Sequence, residues 1–251
     1  MKIVVIGGTG LIGSRLVNSL KRLGHDAIPA APNTGVNTLT GEGVAEVLVG
    51  AEVVVDLSNS PSFEDEAVMA FFRTSGRILL AAEEAAGVRH HVALSVVGAD
   101  RLTASGYMRA KIAQEELIKA SRTPYTILRS TQFFPFIAGI IESAAQGGQV
   151  RLSSALVQPI HADDVVAALT EIVVGAPLNQ TVEIAGPEAI RIDCFAEQYL
   201  SAKGDPRTVV ADADAPYFGA VLTDASLTPG PNPRLGAVTV EEWLREAIPA
   251  D

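Results

Sequence analysis

The sequence predicts a doubly wound α/β fold on a parallel sheet, with a small C-terminal subdomain. Three observations predict it. Short apolar runs alternate with longer helical patterns through the first half of the chain. Runs such as Val53–Val55 are apolar at consecutive positions, as strands covered on both faces must be. The first run ends in a glycine cluster, GGTGLIG, that leads directly into a helical pattern.

Taken in order, Lys2–Ile6 reads as a buried strand. Leu11–Leu23 reads as a helix, with Leu11, Ile12, Leu16, Leu20 and Leu23 at helical spacing and Gly24 as its stop. Ala27–Ala31 is a weak second strand and Gly43–Val49 a short helix. Glu52–Leu57 (EVVVDL) is the third strand, followed by a long helix over Asp65–Ala86 that stops at Gly87. His91–Ser95 is the fourth strand, Gly106–Ala120 a helix and Tyr125–Arg129 the fifth strand. Alternation at these lengths demands right-handed crossovers, hence a parallel sheet with helices on both faces. Past about Gly147 the rhythm loosens. Short strands are expected at Val150–Leu152, Thr181–Ile184 and Thr208–Val210, and helices near Asp163–Val174, Asp193–Ala202 and Glu241–Ala247. Thr228–Gly236, rich in Pro and Gly, reads as a surface loop.

Composition narrows the classes of partner. The 251 residues are 48% apolar and 19% charged, the balance of an ordinary globular protein. The net charge of -10, with no basic stripe, makes nucleic acid and anionic membrane poor partners. The apolar run after Lys2 breaks at Gly7, too short for a signal-peptide core. No stretch approaches the roughly 20 apolar residues of a membrane span. A single cysteine, Cys194, rules out an internal disulfide and fits a reducing compartment, so a cytoplasmic location is expected.

The glycines indicate a ligand. Gly7, Gly10 and Gly13 follow G-x-x-G-x-x-G, with Thr9 in the turn, at the junction of first strand and first helix. In that place they permit a tight turn, close approach of a pyrophosphate to the backbone, and close helix–strand packing. The N–H groups at Leu11 and Ile12, with the positive end of the helix dipole, then face the phosphates. The ligand expected is a dinucleotide.

GGTGLIG resembles the glycine motif of the short-chain dehydrogenase/reductase superfamily, in the version of its extended and atypical members. LSVVGADRLTASGYMRAKIAQEELI and PYTILRSTQFF are similar to its NmrA-like branch, with HADDVVAAL near Ala162 as a fainter echo. The resemblance spans nearly the whole chain, most strongly Met1–Phe134. It implies an NAD(P)-binding Rossmann core, oxidoreductase activity, and a hydrogen bond from Lys111 to the nicotinamide ribose. It also implies a second reading, because some members of the branch bind dinucleotide as redox sensors without catalysis. On this basis residues 1–150 form the NAD(P)-binding domain. Residues 151–251 form a smaller substrate-binding region on the sheet edge, the two making one compact unit.

Tyr107 and Lys111 form Y-x-x-x-K, which puts both on one helix face. Ser95 closes the preceding strand at its carboxyl end, where ligand sites gather in open α/β sheets. A free phenol has a pKa of about 10, and a nearby ammonium draws it toward neutrality. Tyr107 would then protonate a carbonyl oxygen as hydride arrives, while Ser95 holds and polarises that oxygen.

NAD sites usually carry an acidic residue about 20 positions past the glycines, for the ribose hydroxyls. Here Ala30–Thr38 (AAPNTGVNT) has no carboxylate, which favours NADP while leaving NAD open. Asn33, Thr34 and Arg15 are the candidate partners of a 2′-phosphate. Ser58 and Asn59, in DLSNSPSFED, follow the third strand on the adenosine side. Phe133, Phe134 and Phe136 either line an apolar substrate pocket together with Val97 and Thr131, or pack in the core.

Other groups read as structural. Asp163 and Asp164, beside His161, suit a helix start, and no metal site is expected. His90 and His91 are adjacent on a strand and point to opposite faces. Glu83–Glu84 and Glu115–Glu116 read as solvated helix faces. The expected function is NAD(P)-dependent reduction of a carbonyl, enone or quinone-like small molecule. The alternatives are a non-enzymatic dinucleotide-binding regulator and a nucleotide-sugar epimerase, which shares the Ser–Tyr–Lys group. The partner is a small molecule, and the oligomeric state is left open.

Overall fold

The computed structural model describes residues 1–248. In chain order the elements are β1 (Lys2–Ile6), α1 (Leu11–Arg22), β2 (Asp26–Ala30), α2 (Val44–Leu48), β3 (Val53–Asp56), α3 (Asp65–Ala86), β4 (His90–Val96), α4 (Gly106–Ala120) and β5 (Tyr125–Ser130). They continue as α5 (Phe134–Ser143), β6 (Ala145–Gln146), β7 (Gln149–Leu152), β8 (Leu156–Val157), α6 (Ala162–Val174) and β9 (Gln180–Ala185). Last come β10 (Ile190–Arg191), α7 (Ile192–Ala202), β11 (Thr208–Ala211), β12 (Arg234–Leu235) and α8 (Val240–Ala247).

Seven strands form one sheet in the order β12–β9–β5–β4–β3–β1–β2, a Rossmann-like arrangement. Strand β1 lies between β2 and β3. The chain therefore winds one way to β2 and the other way through β3, β4 and β5, and the reversal leaves a crevice at the carboxyl end of β1. Val4 lies opposite Val54 and Val5 opposite Val55, in parallel register. All four are fully buried, so these strands need no polar alternation. Pro29 sits in β2, the edge strand, where a missing N–H costs no ladder bond on the outer side.

The expected elements are present within a residue or two of their bounds, and the structure adds α5, β6, β8, β10 and β12. Phe134–Ser143 is helical, started by Pro135 near its first position, where proline suits a helix. Within Thr228–Gly236, read as a surface loop, Arg234 and Leu235 pair in parallel with Ile184 and Ala185 of β9. A two-residue strand carries no periodic signal, so only the long-range pairing reveals it.

The chain divides into two compact units that interleave in sequence. The first comprises Met1–Ser95, Gly106–Arg129 and Val165–Val182; the second comprises Val96–Ser105, Ser130–Asp164 and the chain from Glu183 onward. In the first, Val4, Ile6, Leu48, Val54 and Leu79 share one apolar cluster, while Val68 and Phe72 meet Ala110 between α3 and α4. In the second, Phe134 stacks on Trp243 at 5.0 Å and on Phe195 at 6.3 Å between ring centres. Among the described residues, no helix is long and apolar enough to cross a membrane.

Candidate functional site: a dinucleotide cradle and a buried Lys–Gln–Asp chain

The glycine turn closes off the carboxyl end of β1. Gly7 N–H donates to the Ala30 carbonyl at the end of β2, and Leu57 N–H donates to Ile6. Gly7 has a φ of +74°, and a Cβ there would come within 2.7 Å of the Leu57 carbonyl oxygen. A Cβ on Gly13 would strike the Gly7 carbonyl. Internal packing therefore demands both of these glycines. Gly10 differs, because its Cβ would meet only the Gly7 oxygen, at 3.3 Å, and the residue is exposed. Gly10 is also the N-cap of α1, and no side chain caps that helix. Its first N–H groups have no intrahelical partner. The turn thus presents uncapped donors, a positive dipole end and no side chain in the way. These features fit a pyrophosphate.

The flanking residues draw close to this turn. Thr9 Oγ1 lies 3.3 Å from Asn33 Oδ1, joining the turn to the short helical segment Pro32–Thr34. Asn33, Thr34 and Arg15 are all exposed, but Thr34 is already committed. Its hydroxyl accepts from Ala31 N–H at 2.9 Å and donates to the Ala31 carbonyl. Ser58 is similarly occupied, its N–H and hydroxyl both going to Asp56 Oδ1 at 3.0 and 2.6 Å. Asn59 is exposed and accepts from Ser60 N–H.

Asp56 anchors a buried chain of contacts that the sequence reading missed. Its other oxygen accepts from Gln114 Nε2 at 2.8 Å. The Gln114 carboxamide oxygen accepts from Lys111 Nζ, which also donates to the Leu94 carbonyl at 3.0 Å. The same ammonium lies 4.5 Å over the ring of Phe72. Lys111 is 3% exposed. Burial lowers its pKa to about 8, against the opposing pull of Asp56 and Glu115. Two signals pointed here: a carboxylate ending an apolar strand, and a glutamine three residues after Lys111, on the same helix face.

Tyr107 lies one turn earlier on α4. Its ring centre is 5.6 Å from that of Phe63 and 6.2 Å, edge-on, from that of Phe72. Burial pushes the phenol up to about 12. This is the reverse of the lowering toward neutrality expected from a nearby ammonium, because Lys111 Nζ is turned to Gln114 and Leu94. Ser95 goes elsewhere, since its hydroxyl donates to Glu115 Oε1 at 2.7 Å. Tyr107 and Lys111 therefore share Phe72, while Ser95 belongs to a different polar cluster.

That cluster corrects the reading of Glu83 and Glu115 as solvated. Glu115 is 1% exposed and accepts Arg129 on both oxygens at 2.8 Å, with Lys119 at its outer edge. Burial works against its charge, but the hydrogen bonds from Arg129 and Ser95 outweigh that and hold the carboxyl below its ordinary range. Glu83 is 0% exposed and takes His91 Nδ1 at 2.8 Å. His90 points the other way, to Thr126. Their neighbours Glu84 and Glu116 are exposed, as expected.

In the second unit, Val97, Thr131 and Phe134 are fully buried and Phe133 is half-buried. Phe134 is committed to the stack with Trp243 and Phe195, the core alternative of the sequence reading. Gln132, next to Thr131, is also buried. Among the described residues, no group of His, Cys, Asp and Glu could hold a metal ion.

The chain has relatives among known proteins and solved structures. Relatives include a (4-alkanoyl-5-oxo-2,5-dihydrofuran-3-yl)methyl phosphate reductase of Streptomyces griseus, 26% identical over 75% of this chain and 69% of that protein. Another is the chloroplastic divinyl chlorophyllide a 8-vinyl-reductase of Oryza sativa, 28% identical over 74% of this chain and 54% of that protein. Photosystem II assembly factor Ycf39 of Cyanophora paradoxa is 26% identical over 55% of this chain, and this chain spans 48% of its length. Among solved structures, an NADPH-dependent quinone oxidoreductase of Escherichia coli superposes with a TM-score of 0.74 at 16% identity, covering 98% of this chain and 99% of that one. A short-chain dehydrogenase/reductase superfamily protein from Agrobacterium tumefaciens with bound NAD also gives 0.74, at 19% identity, over 98% and 95% of the two chains. These structural likenesses establish the fold. A family model described as NAD(P)H-binding matches residues 7–174, beginning at the first glycine of the turn. The chain belongs to this NAD(P)H-binding family.

Proposed function

We propose that the protein is an NAD(P)H-dependent reductase of the short-chain dehydrogenase/reductase type, in its NmrA-like branch, acting on a carbonyl, enone or quinone-like small molecule. The observation that carries this reading is the uncapped glycine turn, built where the matched family begins. Two relatives are named as reductases and one structural neighbour as a quinone oxidoreductase, which supports the reaction class. The missing carboxylate in Ala30–Thr38 supports NADPH over NADH.

When bound, the dihydronicotinamide supplies the hydride. Tyr107 supplies the proton to the oxygen on which charge develops. A phenol raised to about 12 is protonated at neutral pH, so Tyr107 is in the form that can give up a proton. Phe63 and Phe72 hold the ring, and Lys111, still an ammonium at neutral pH, keeps positive charge one helical turn away.

The test compares the parent with Tyr107→Phe on one acceptor found by screening carbonyls and quinones for NADPH oxidation. Turnover falls by about 100-fold or more while NADPH affinity holds. A Phe variant with full turnover removes Tyr107 from the mechanism.

A second reading, a dinucleotide-binding regulator without chemistry, is favoured by one observation. Ser95 and Lys111 are engaged by Glu115 and by Gln114 with Leu94, rather than converging on Tyr107. It predicts tight NADPH binding and no turnover across the whole screen.

A further inference from the structure

Two exposed phenylalanines in the second unit are held in an arrangement that burial does not explain. Phe136, in the first turn of α5, is 39% exposed, and Phe218 is 45% exposed. Their rings are stacked, 5.7 Å between centres and 8° between planes. Tyr217 braces the Phe218 ring edge-on at 4.9 Å and 85°, and is itself buried. Tyr217 and Ala220 exchange backbone hydrogen bonds of 2.8 and 3.0 Å, closing a tight turn around Phe218. Inside that turn Phe218 has a φ of +47°, in the left-handed region. A bulky side chain is strained there, and a structure keeps such strain where the surroundings over-determine it for a purpose.

We propose that Phe136 and Phe218 form a recognition surface for a planar, neutral aromatic or quinonoid ring, which stacks on the face they expose. Aromatic rings favour parallel-offset or edge contacts with other rings, and a pair already locked in place loses little freedom on binding. An anion is disfavoured, because the chain carries -10 and the segment entering the turn holds Asp214, while Asp212 there is paired with Arg151. The ligand is small because two rings at this exposure offer on the order of 150 Å². A stable protein interface needs about 800 Å² from each partner. This assignment rests on the reductase reading only for the fate of the ligand, not for its binding.

The test measures binding of 1,4-naphthoquinone to the full chain by calorimetry, without cofactor, for the parent, Phe136→Ala and Phe218→Gly. Each substitution weakens binding tenfold or more, while NADPH affinity changes less than twofold. Phe218→Gly relieves the left-handed strain but gives up the ring's packing on Tyr217 and Phe136, so its melting temperature is read beside its affinity. Phe218→Leu keeps an apolar side chain without the ring and also loses tenfold. A parent that binds no naphthoquinone, or variants that bind it as the parent does, overturn the assignment. So does a change in oligomeric state on sedimentation with quinone affinity unaltered, which makes the patch a self-association surface. The two readings fail separately. Naphthoquinone binding with no NADPH oxidation by any acceptor in the screen removes the reductase, whereas NADPH oxidation by a parent that binds no naphthoquinone removes this surface.

Discussion

The hydroxyl of Ser95 donates to Glu115 Oε1 at 2.7 Å, and Arg129 grips the same carboxylate through two bonds of 2.8 Å. The contact joins the end of β4 to the middle of α4 and the end of β5. Removing one partner of a buried pair strands the other's charge, which typically costs about 3–5 kcal/mol. Glu115→Ala should lose stability on that scale in urea unfolding, because the Arg129 guanidinium is buried where it meets the carboxylate. Ser95→Ala should lose only about 1 kcal/mol, one hydrogen bond to a group that keeps its other partners. If Ser95→Ala unfolds like the parent yet loses turnover, the hydroxyl serves the substrate and not Glu115.

The glycine turn separates folding from binding at two positions three residues apart. Gly13→Val should fail to fold or melt far below the parent, because its Cβ would strike the Gly7 carbonyl. Gly10→Val needs only a small shift from the Gly7 oxygen at 3.3 Å, so its melting temperature should stay within a few degrees. Its NADPH affinity should fall at least tenfold, because the new side chain stands over the uncapped N-terminus of α1. Calorimetric titration of Gly10→Val with unchanged NADPH affinity would place the phosphates elsewhere.

Lys111 gives stability an unusual pH dependence. Its folded pKa, about 8, lies below its ordinary 10.5, so between those values the unfolded chain binds the extra proton. Stability contributed by this group therefore rises with pH across that window. Below pH 8 the buried ammonium costs a constant amount, on the order of 3–4 kcal/mol, from about 1.4 kcal/mol per unit. Unfolding free energies of the parent and Lys111→Met, compared from pH 7 to 10.5, should move in the parent's favour as pH rises. A gap that stays flat means that the amine titrates normally.

Cofactor preference should turn on Asn33. NADPH should bind about tenfold tighter than NADH, a difference of about 1.4 kcal/mol. Asn33→Asp places a carboxylate beside Thr9 and the glycine turn, where Asn33 Oδ1 now lies 3.3 Å from Thr9 Oγ1. It should repel a 2′-phosphate and reverse the preference toward NADH. Titration of both cofactors at low salt decides it, and an Asn33→Asp protein that still prefers NADPH moves the 2′-phosphate away from this loop.

The sequence by itself determined the doubly wound sheet, the bounds of α3 and α4 and the place of the glycine turn. These are local matters. A run of apolar residues must be covered on both faces, a 3.6-residue period must face a core, and a glycine cluster between strand and helix must admit something close to the backbone. Tertiary structure alone decided which of two identical neighbours is buried. Glu115 and Glu116 are indistinguishable along the chain, yet one lies under Arg129 and the other in solvent. Phe134 and Phe136 differ in the same way, one stacked on Trp243 and the other exposed against Phe218. Lys111 reaches Gln114 within its own helix, but Gln114 reaches Asp56 across 58 positions. Local propensity fixes where an element begins and which face is apolar. The environment of a polar side chain is set by the strand or helix that comes to lie opposite, which is a long-range pairing and leaves no local period to read.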